Sequence, residues 1–288
     1  MKIISVLEDI KNIDNLKLCD EIIIPSIYSI SYKNCFDKDE IIKIVNDNKD
    51  MKFILGIDGI IDENIIDDVI KFIDELEYLD LDLLFSDMAI LYHYQKKNKL
   101  NKLIYDASTY LCNKSDIEYY QRLNIRVFVS NELSIDDLKI NCRYDNVILQ
   151  AYGYYPIYYS KRKVLSLYKD YAKIDYDLNK EYEIKEELRE EKYKIKEYDS
   201  HSVIYNAYKI LIFEELNELK PAFIYINTND IEIIKCFKKG NEEGFEKDLE
   251  DKIKSIDERV DKSLMYIRPS ILNKDEKNWI TLTCRQSL

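Results

Sequence analysis

The chain has 288 residues, 46% of them hydrophobic, and a formal charge of −12. That is enough apolar material to bury the core of one large domain or two modest ones, while the acidity argues against tight, unaided binding to nucleic acid, which needs a clustered cationic surface. No run approaches the roughly 18 apolar residues of a spanning helix, and Met1 to Val6 leads straight into a strand with no signal-peptide cleavage pattern, so a cytosolic protein is expected.

Short apolar runs alternate with amphipathic stretches from the start, the pattern of strand-helix units around a parallel sheet. Strands are predicted at Lys2 to Leu7, Glu21 to Pro25, Lys52 to Ile57, Leu81 to Phe85, Lys102 to Asp106, Arg126 to Ser130 and Asn146 to Tyr152, with an eighth at Ala222 to Asn227. Between them Asp39 to Asn46, Glu63 to Leu76 and Ser115 to Leu123 carry apolar residues at three-to-four spacing and read as outer helices, with Asp62 and Asn113 or Ser115 as start signals. This serial spacing favours an α/β, TIM-like (β/α) barrel, whole or distorted, over a doubly wound sheet. An insertion at about 154–219 separates strands seven and eight; in it Tyr182 to Lys185 and Lys192 to Lys196 alternate polar with apolar residues, as a solvent-facing β-hairpin does. Asp230 to Phe237 and Glu242 to Ile256 read as helices, so the barrel with its insertion is expected over 1–268, and 269–288, with the only tryptophan, Trp279, as a loosely attached polar tail.

The six cysteines, Cys19, Cys35, Cys112, Cys142, Cys236 and Cys284, have neither CxxC nor His at metal-ligand spacing, so free thiols are expected and no metal site is predicted. In a barrel the strand carboxyl ends build the site, which directs attention to Pro25-Ser26, Asp58, Ser86-Asp87, Asp106 to Thr109, Ser130 to Glu132 and Gln150 to Gly153. Asp58, Asp87, Asp106 and Glu132 are candidates to converge on one pocket, against the alternative that each caps a helix or is solvated. The run Tyr152 to Ser166 sets five tyrosines beside Lys161-Arg162-Lys163, an arrangement suited to stacking on bases while holding phosphate, or else to tyrosines packed over the mouth beside solvated cations. His93 reads as structural; His201, after Asp199-Ser200, is a candidate proton carrier, with Ser160, Ser166 or Ser202 as candidate nucleophiles.

Leu149-Gln150-Ala151-Tyr152-Gly153, followed by Tyr158-Tyr159-Ser160-Lys161-Arg162-Lys163-Val164-Leu165-Ser166, resembles the signature of peptidase family U32, the collagenase-like peptidases. Asp106-Ala107-Ser108-Thr109, Val127 to Leu133, Leu188 to Ile195 and Ile204-Tyr205-Asn206 resemble flanking motifs of that family, so the likeness runs from about Leu81 to about Arg268. Cluster-binding members carry cysteines at the positions of Pro156 and Lys163, so no iron-sulfur cluster or other cofactor is expected; His201-Ser202 replaces a Gly-Thr pair, and Tyr225 stands where an Arg is common. The resemblance implies a bacterial protein of the short, cluster-free type, acting in tRNA wobble-uridine hydroxylation as enzyme or as companion to a longer paralogue. The alternatives it leaves are a collagenase-like protease, hence a hydrolase, and a non-catalytic scaffold. In these terms Glu132, Arg162 and His201 are expected to be catalytic, and Asp106, Ser108, Ser130, Gln150, Tyr152, Ser160, Lys161 and Arg189 to bind tRNA or an anionic small molecule, with no membrane partner.

Overall fold

Strands of this chain put one set of apolar side chains into a barrel and the alternate set beneath a ring of helices. The computed structural model describes residues 1–265 apart from 31, 33, 60, 108–110, 176, 179, 186, 188, 189, 199, 200, 263 and 264. Ser108, Arg189 and the 269–288 tail lie outside the described residues.

β1 (Lys2–Val6), β2 (Glu21–Pro25), β3 (Phe53–Ile57), β4 (Asp82–Phe85), β5 (Leu103–Asp106), β6 (Arg126–Phe128) and β7 (Val147–Gly153) each pair in parallel with the next. β8 (Pro156–Ser160), β9 (Tyr182–Lys185), β10 (Lys192–Glu197) and β11 (Ser202–Tyr205) form a separate antiparallel sheet in the order β8-β11-β10-β9. β12 (Lys209–Leu211) runs antiparallel to the end of β7, and β13 (Phe223–Ile226) then pairs in parallel with both β7 and β1 and closes a ring of eight. A two-residue strand, β14 (Val260–Asp261), extends β12. The fold is thus a closed, TIM-like α/β barrel whose insertion between the seventh and eighth barrel strands carries the hairpin expected from its alternation.

Period-two alternation sorts the side chains. Ile4, Val6, Ile23, Ile54, Leu84, Ile104 and Ile148 fill the barrel, while Ile3, Ile22, Ile24, Leu55, Leu83 and Leu149 face the helices. Those helices are α1 (Lys38–Asp47), α2 (Ile66–Leu76), α3 (Met88–Lys96), α4 (Lys114–Arg122), α5 (Ile135–Asn141), α6 (Val164–Ala172), α7 (Leu216–Leu219), α8 (Ile231–Glu243) and α9 (Lys247–Ile256). Asp37 and Glu40 make a reciprocal capping box on α1, and Asn113 accepts the N–H groups of Ser115 and Asp116 at the start of α4, as expected. Asp62 does not cap α2: that helix starts at Ile66 without a side-chain cap, and the Asp62 carboxylate is ion-paired with Lys161.

The amino-terminal end of the barrel is plugged by charge. Arg126, the first residue of β6, donates to Glu21 at 2.5 Å and to Asp82 at 2.8 Å, and Lys52 reaches the same two carboxylates at 2.9 Å each. Burial alone would raise the Glu21 carboxyl, but Arg126 and Lys52 outweigh it and hold the group below its ordinary value. Two nearly buried anions are therefore tolerable only with their cations in place.

Arg126→Met is expected to lower the unfolding free energy by about 3 kcal/mol in urea titration, because it leaves the half-exposed Lys52 as the main cation for two nearly buried carboxylates, and adding Glu21→Gln should recover part of the loss. A loss below about 1 kcal/mol would contradict the plug. Because the folded Glu21 value is depressed, the stabilisation it contributes is complete above about pH 4.3 and lost as the pH falls through the folded value.

Candidate functional site

The mouth is shaped where the barrel closes. Along the β7–β13 seam Ile148 pairs with Phe223, Leu149 with Ile224 and Gln150 with Tyr225, but Ile226 pairs with Tyr152, so Ala151 is an extra residue in β7. This bulge breaks the alternation: Gln150 keeps the inward phase of Ile148, whereas both Ala151 and Tyr152 join the outer core. Gly153 follows at φ 116°, and a Cβ there would sit 2.5 Å from the Asn227 Cβ, so the close approach of β7 to the end of β13 requires glycine. The turn is held by Gln150, whose side-chain amide donates to the Tyr154 carbonyl at 3.1 Å while its oxygen accepts from Asn131 at 2.9 Å.

Inside the mouth is a cavity of about 60 Å³ lined by Tyr32, Asp58, Ser86, Asp106, Phe128, Asn131, Gln150, Tyr154, Tyr225 and Asn227. Each stands at or just beyond the carboxyl end of a barrel strand, where this fold places its chemistry. Phe128 and Tyr225 meet edge to face at 5.4 Å. Burial pushes the phenols of Tyr32 and Tyr225 far above their ordinary range, and the fields of Asp58 and Asp106 add to it, so both stay protonated. Two polar atoms of the wall are buried without a well-formed hydrogen bond among the described residues: the Tyr225 hydroxyl and the Asn131 side-chain oxygen. Tyr32 lies near enough to Tyr225 for the two phenols to shift one another's ionisation. The cavity thus offers protonated phenols, carboxylates and amides, a wall able to read the hydrogen-bonding edge of a flat, uncharged group.

Tyr32, Tyr154 and Asn227 also border an adjoining groove of about 600 Å³, whose wall includes Lys180, Lys194, Lys196, Lys209, Tyr198, Tyr205, Glu8 and Glu181. The Lys194 ammonium sits 4.5 Å and that of Lys209 5.3 Å from the centre of the Tyr154 ring.

The structure brings Asp106 and Gln150 to the cavity with Asp58. Asp87 instead caps α3 and accepts the Ile61 N–H, and Glu132 is exposed, so only two of the four rim carboxylates converge. Ser130 is buried and accepts the Glu132 N–H. Tyr152 faces the outer layer, where its hydroxyl donates to Asp257 at 2.5 Å beside Phe237. Lys161, Arg162 and Lys163 are exposed, Ser160 accepts the Arg162 N–H, and Ser166 is engaged by the nearly buried Glu197. His201 is buried, stacked on Tyr198 at 4.6 Å with Nε2 donating to the Ile30 carbonyl at 3.3 Å; burial lowers its pKa, which keeps the ring neutral at pH 7. Ser202 donates to the Arg162 carbonyl at 2.9 Å. Pro156 and Lys163 offer no thiol to an iron-sulfur cluster, and among the described residues no three His, Cys, Asp or Glu side chains form a metal-binding group. No described helix is long and apolar enough to cross a membrane.

Sequence reasoning missed Tyr32 as a wall residue, named Asn131 only within the Ser130 to Glu132 strand end, and took Lys194 and Lys196 only as hairpin surface. The available signal for Tyr32 was its place in the loop after β2, and for the lysines their spacing of two on one face of β10.

A profile described as "Peptidase family U32" matches residues 30–226, a span that takes in the mouth from Tyr32 to Tyr225. No curated protein matches the chain by sequence. Among solved structures it is similar to a GH18 chitinase from Cycas revoluta, seen in complex with (GlcNAc)3, as a mutant with (GlcNAc)4 and with allosamidin. Each is 9% identical and covers 83% of this chain and 98% of the chitinase, with TM-scores of 0.37, 0.37 and 0.38.

Tyr225→Phe removes a buried hydroxyl that lacks a well-formed partner, so it is expected to leave stability unchanged or raise it by about 1 kcal/mol in urea titration. A loss of about 1 kcal/mol or more would mean that the hydroxyl is satisfied in solution and the wall is not open for a ligand.

Proposed function

Because the chain belongs to peptidase family U32, we propose that its barrel mouth receives a single nucleobase of tRNA and that the protein acts in wobble-uridine hydroxylation, as enzyme or as companion subunit. The observation that carries this reading is the pair of buried polar atoms without a well-formed hydrogen bond among the described residues, Tyr225 Oη and Asn131 Oδ1, set in one cavity beside the rings of Tyr32, Phe128 and Tyr154. A flat heterocycle would satisfy both at once, its N–H donating to Asn131 and its carbonyl accepting from the phenol. Chemistry on a base requires the base to leave its stack and enter such a pocket.

The carboxylates of Asp58 and Asp106 favour a neutral group at depth and oppose an anion, so the phosphate of a bound nucleotide is kept outside. Gln150 acts as a positioning residue, since it fixes both the Tyr154 carbonyl and the Asn131 amide. Peptide hydrolysis is less well supported by the same wall. Beyond the end of β2, next to that wall, the hydroxyls of Ser26 and Ser29 are both spent on the Gly56 carbonyl, at 2.7 and 2.8 Å, so neither is placed as a nucleophile.

Nucleoside mass spectrometry of tRNA from a deletion strain tests the reading. The 5-hydroxyuridine derivatives are expected to fall, to return with the wild-type gene and not to return with Asp106→Asn; unchanged levels on deletion would overturn it.

A further inference from the structure

The longest run of cations in the chain, Lys161-Arg162-Lys163, is exposed, with Lys161 ion-paired to Asp62. A different cationic surface opens onto the cavity. Lys194 and Lys196 are two apart on β10, which puts their side chains on one face about 6.6 Å apart along the strand, on the scale of successive phosphates in an extended nucleic acid. The other face of β10 is committed to α6, where Glu197 takes the Ser166 N–H and hydroxyl. Lys209 reaches the same groove from β12 and Lys180 from the segment before β9. Four lysines thus stand against two glutamates, Glu8 and Glu181, in a wall of a protein whose overall charge is −12. The lysines are interleaved with aromatic rings: Lys194 over Tyr154, and Lys196 at 4.4 Å over Tyr198. Lys194 also pairs with Glu181 at 2.9 Å and Lys209 with Asp257 at 2.5 Å, contacts that hold the ammonium groups in the groove and that an oxyanion of higher charge density can exchange into.

We infer that this groove, and not the Lys161–Lys163 run, holds the phosphodiester backbone of single-stranded RNA on either side of the base that enters the cavity. The inference rests on the nucleobase reading of the mouth and adds where the strand runs. Lysines hold phosphates as point charges and the tyrosine faces accept flanking bases without regard to sequence, so the groove supplies affinity while the cavity supplies choice of base. The shared border of Tyr32, Tyr154 and Asn227 makes the path from groove to cavity continuous.

The test is fluorescence anisotropy with a labelled oligouridine decamer between 50 and 200 mM salt, alongside calorimetry with uridine, which has no phosphate. Lys194→Gln with Lys196→Gln is expected to weaken decamer binding about tenfold and to flatten the log affinity against log salt slope by about 1.4, the release expected for two phosphates of a single strand. Lys180→Gln, on an exposed side chain, is expected to flatten it by about 0.7 and guards against a folding defect in the double variant. Uridine binding should be unchanged in all of these. The triple change of Lys161, Arg162 and Lys163 to Gln should alter decamer affinity less than about twofold. Decamer binding that survives the groove variants, or falls with the triple variant instead, overturns the inference and leaves the cavity reading standing, as does uridine binding without decamer binding. If neither ligand binds the wild-type protein, both readings fall.

Discussion

A single extra residue in β7 decides which side chains reach the mouth of the barrel. Strand parity would send Gln150 and Tyr152 to the same side; the bulge at Ala151 keeps Gln150 inside and turns Tyr152 out to Asp257 and Phe237. Gly153, pressed against Asn227, then redirects the chain into the insertion, which delivers Tyr154 to the border between cavity and groove. Because β13 is also the strand that closes the ring, the same contact fixes the last barrel strand, the departure point of the insertion and the position of Tyr225 opposite Gln150. Loss of the bulge would move all of these together.

The two ends of the barrel handle charge in opposite ways. At the amino-terminal end Glu21 and Asp82 are matched by Arg126 and Lys52, so burial is offset by close ion pairs and the end is sealed. At the carboxyl-terminal end Asp58 and Asp106 share a cavity with two raised phenols and with the buried Asn131 side-chain oxygen, which has no hydrogen bond among the described residues. Between them lies a layer of Ile4, Ile54, Leu84, Ile104 and Ile148 that keeps the two polar systems apart. Buried polar groups without well-formed hydrogen bonds cost stability, and in this barrel that cost falls at the carboxyl-terminal end.

The barrel strands were legible because each is a short apolar run with turn residues on both sides, and their observed bounds agree with expectation to within two residues. The hairpin of β9 and β10 was legible from alternation, but its alternation says nothing about which face meets a ligand; that depends on α6 covering the side of Glu197 and leaving Lys194 and Lys196 open. Tyr152 was misread as a wall residue because a bulge of one residue leaves no mark in composition or period. The prominence of Lys161-Arg162-Lys163 lay in consecutive charge, whereas the groove collects lysines from three separate segments between Lys180 and Lys209, a convergence that only the fold creates. Asp58 and Asp106 were foreseen from their places at strand ends; Asp87 and Glu132 occupy equivalent places, but one is taken by the start of α3 and the other points to solvent.

The central claim, that the mouth between Tyr32, Tyr154 and Tyr225 is the working site, is tested most directly by photocrosslinking a 4-thiouridine-containing oligouridine to the wild-type protein and mapping the adduct by mass spectrometry. The account expects the adduct on one of those three tyrosines or on Phe128. An adduct confined to Tyr158, Tyr168 or Tyr171, the exposed aromatics of β8 and α6, would contradict it.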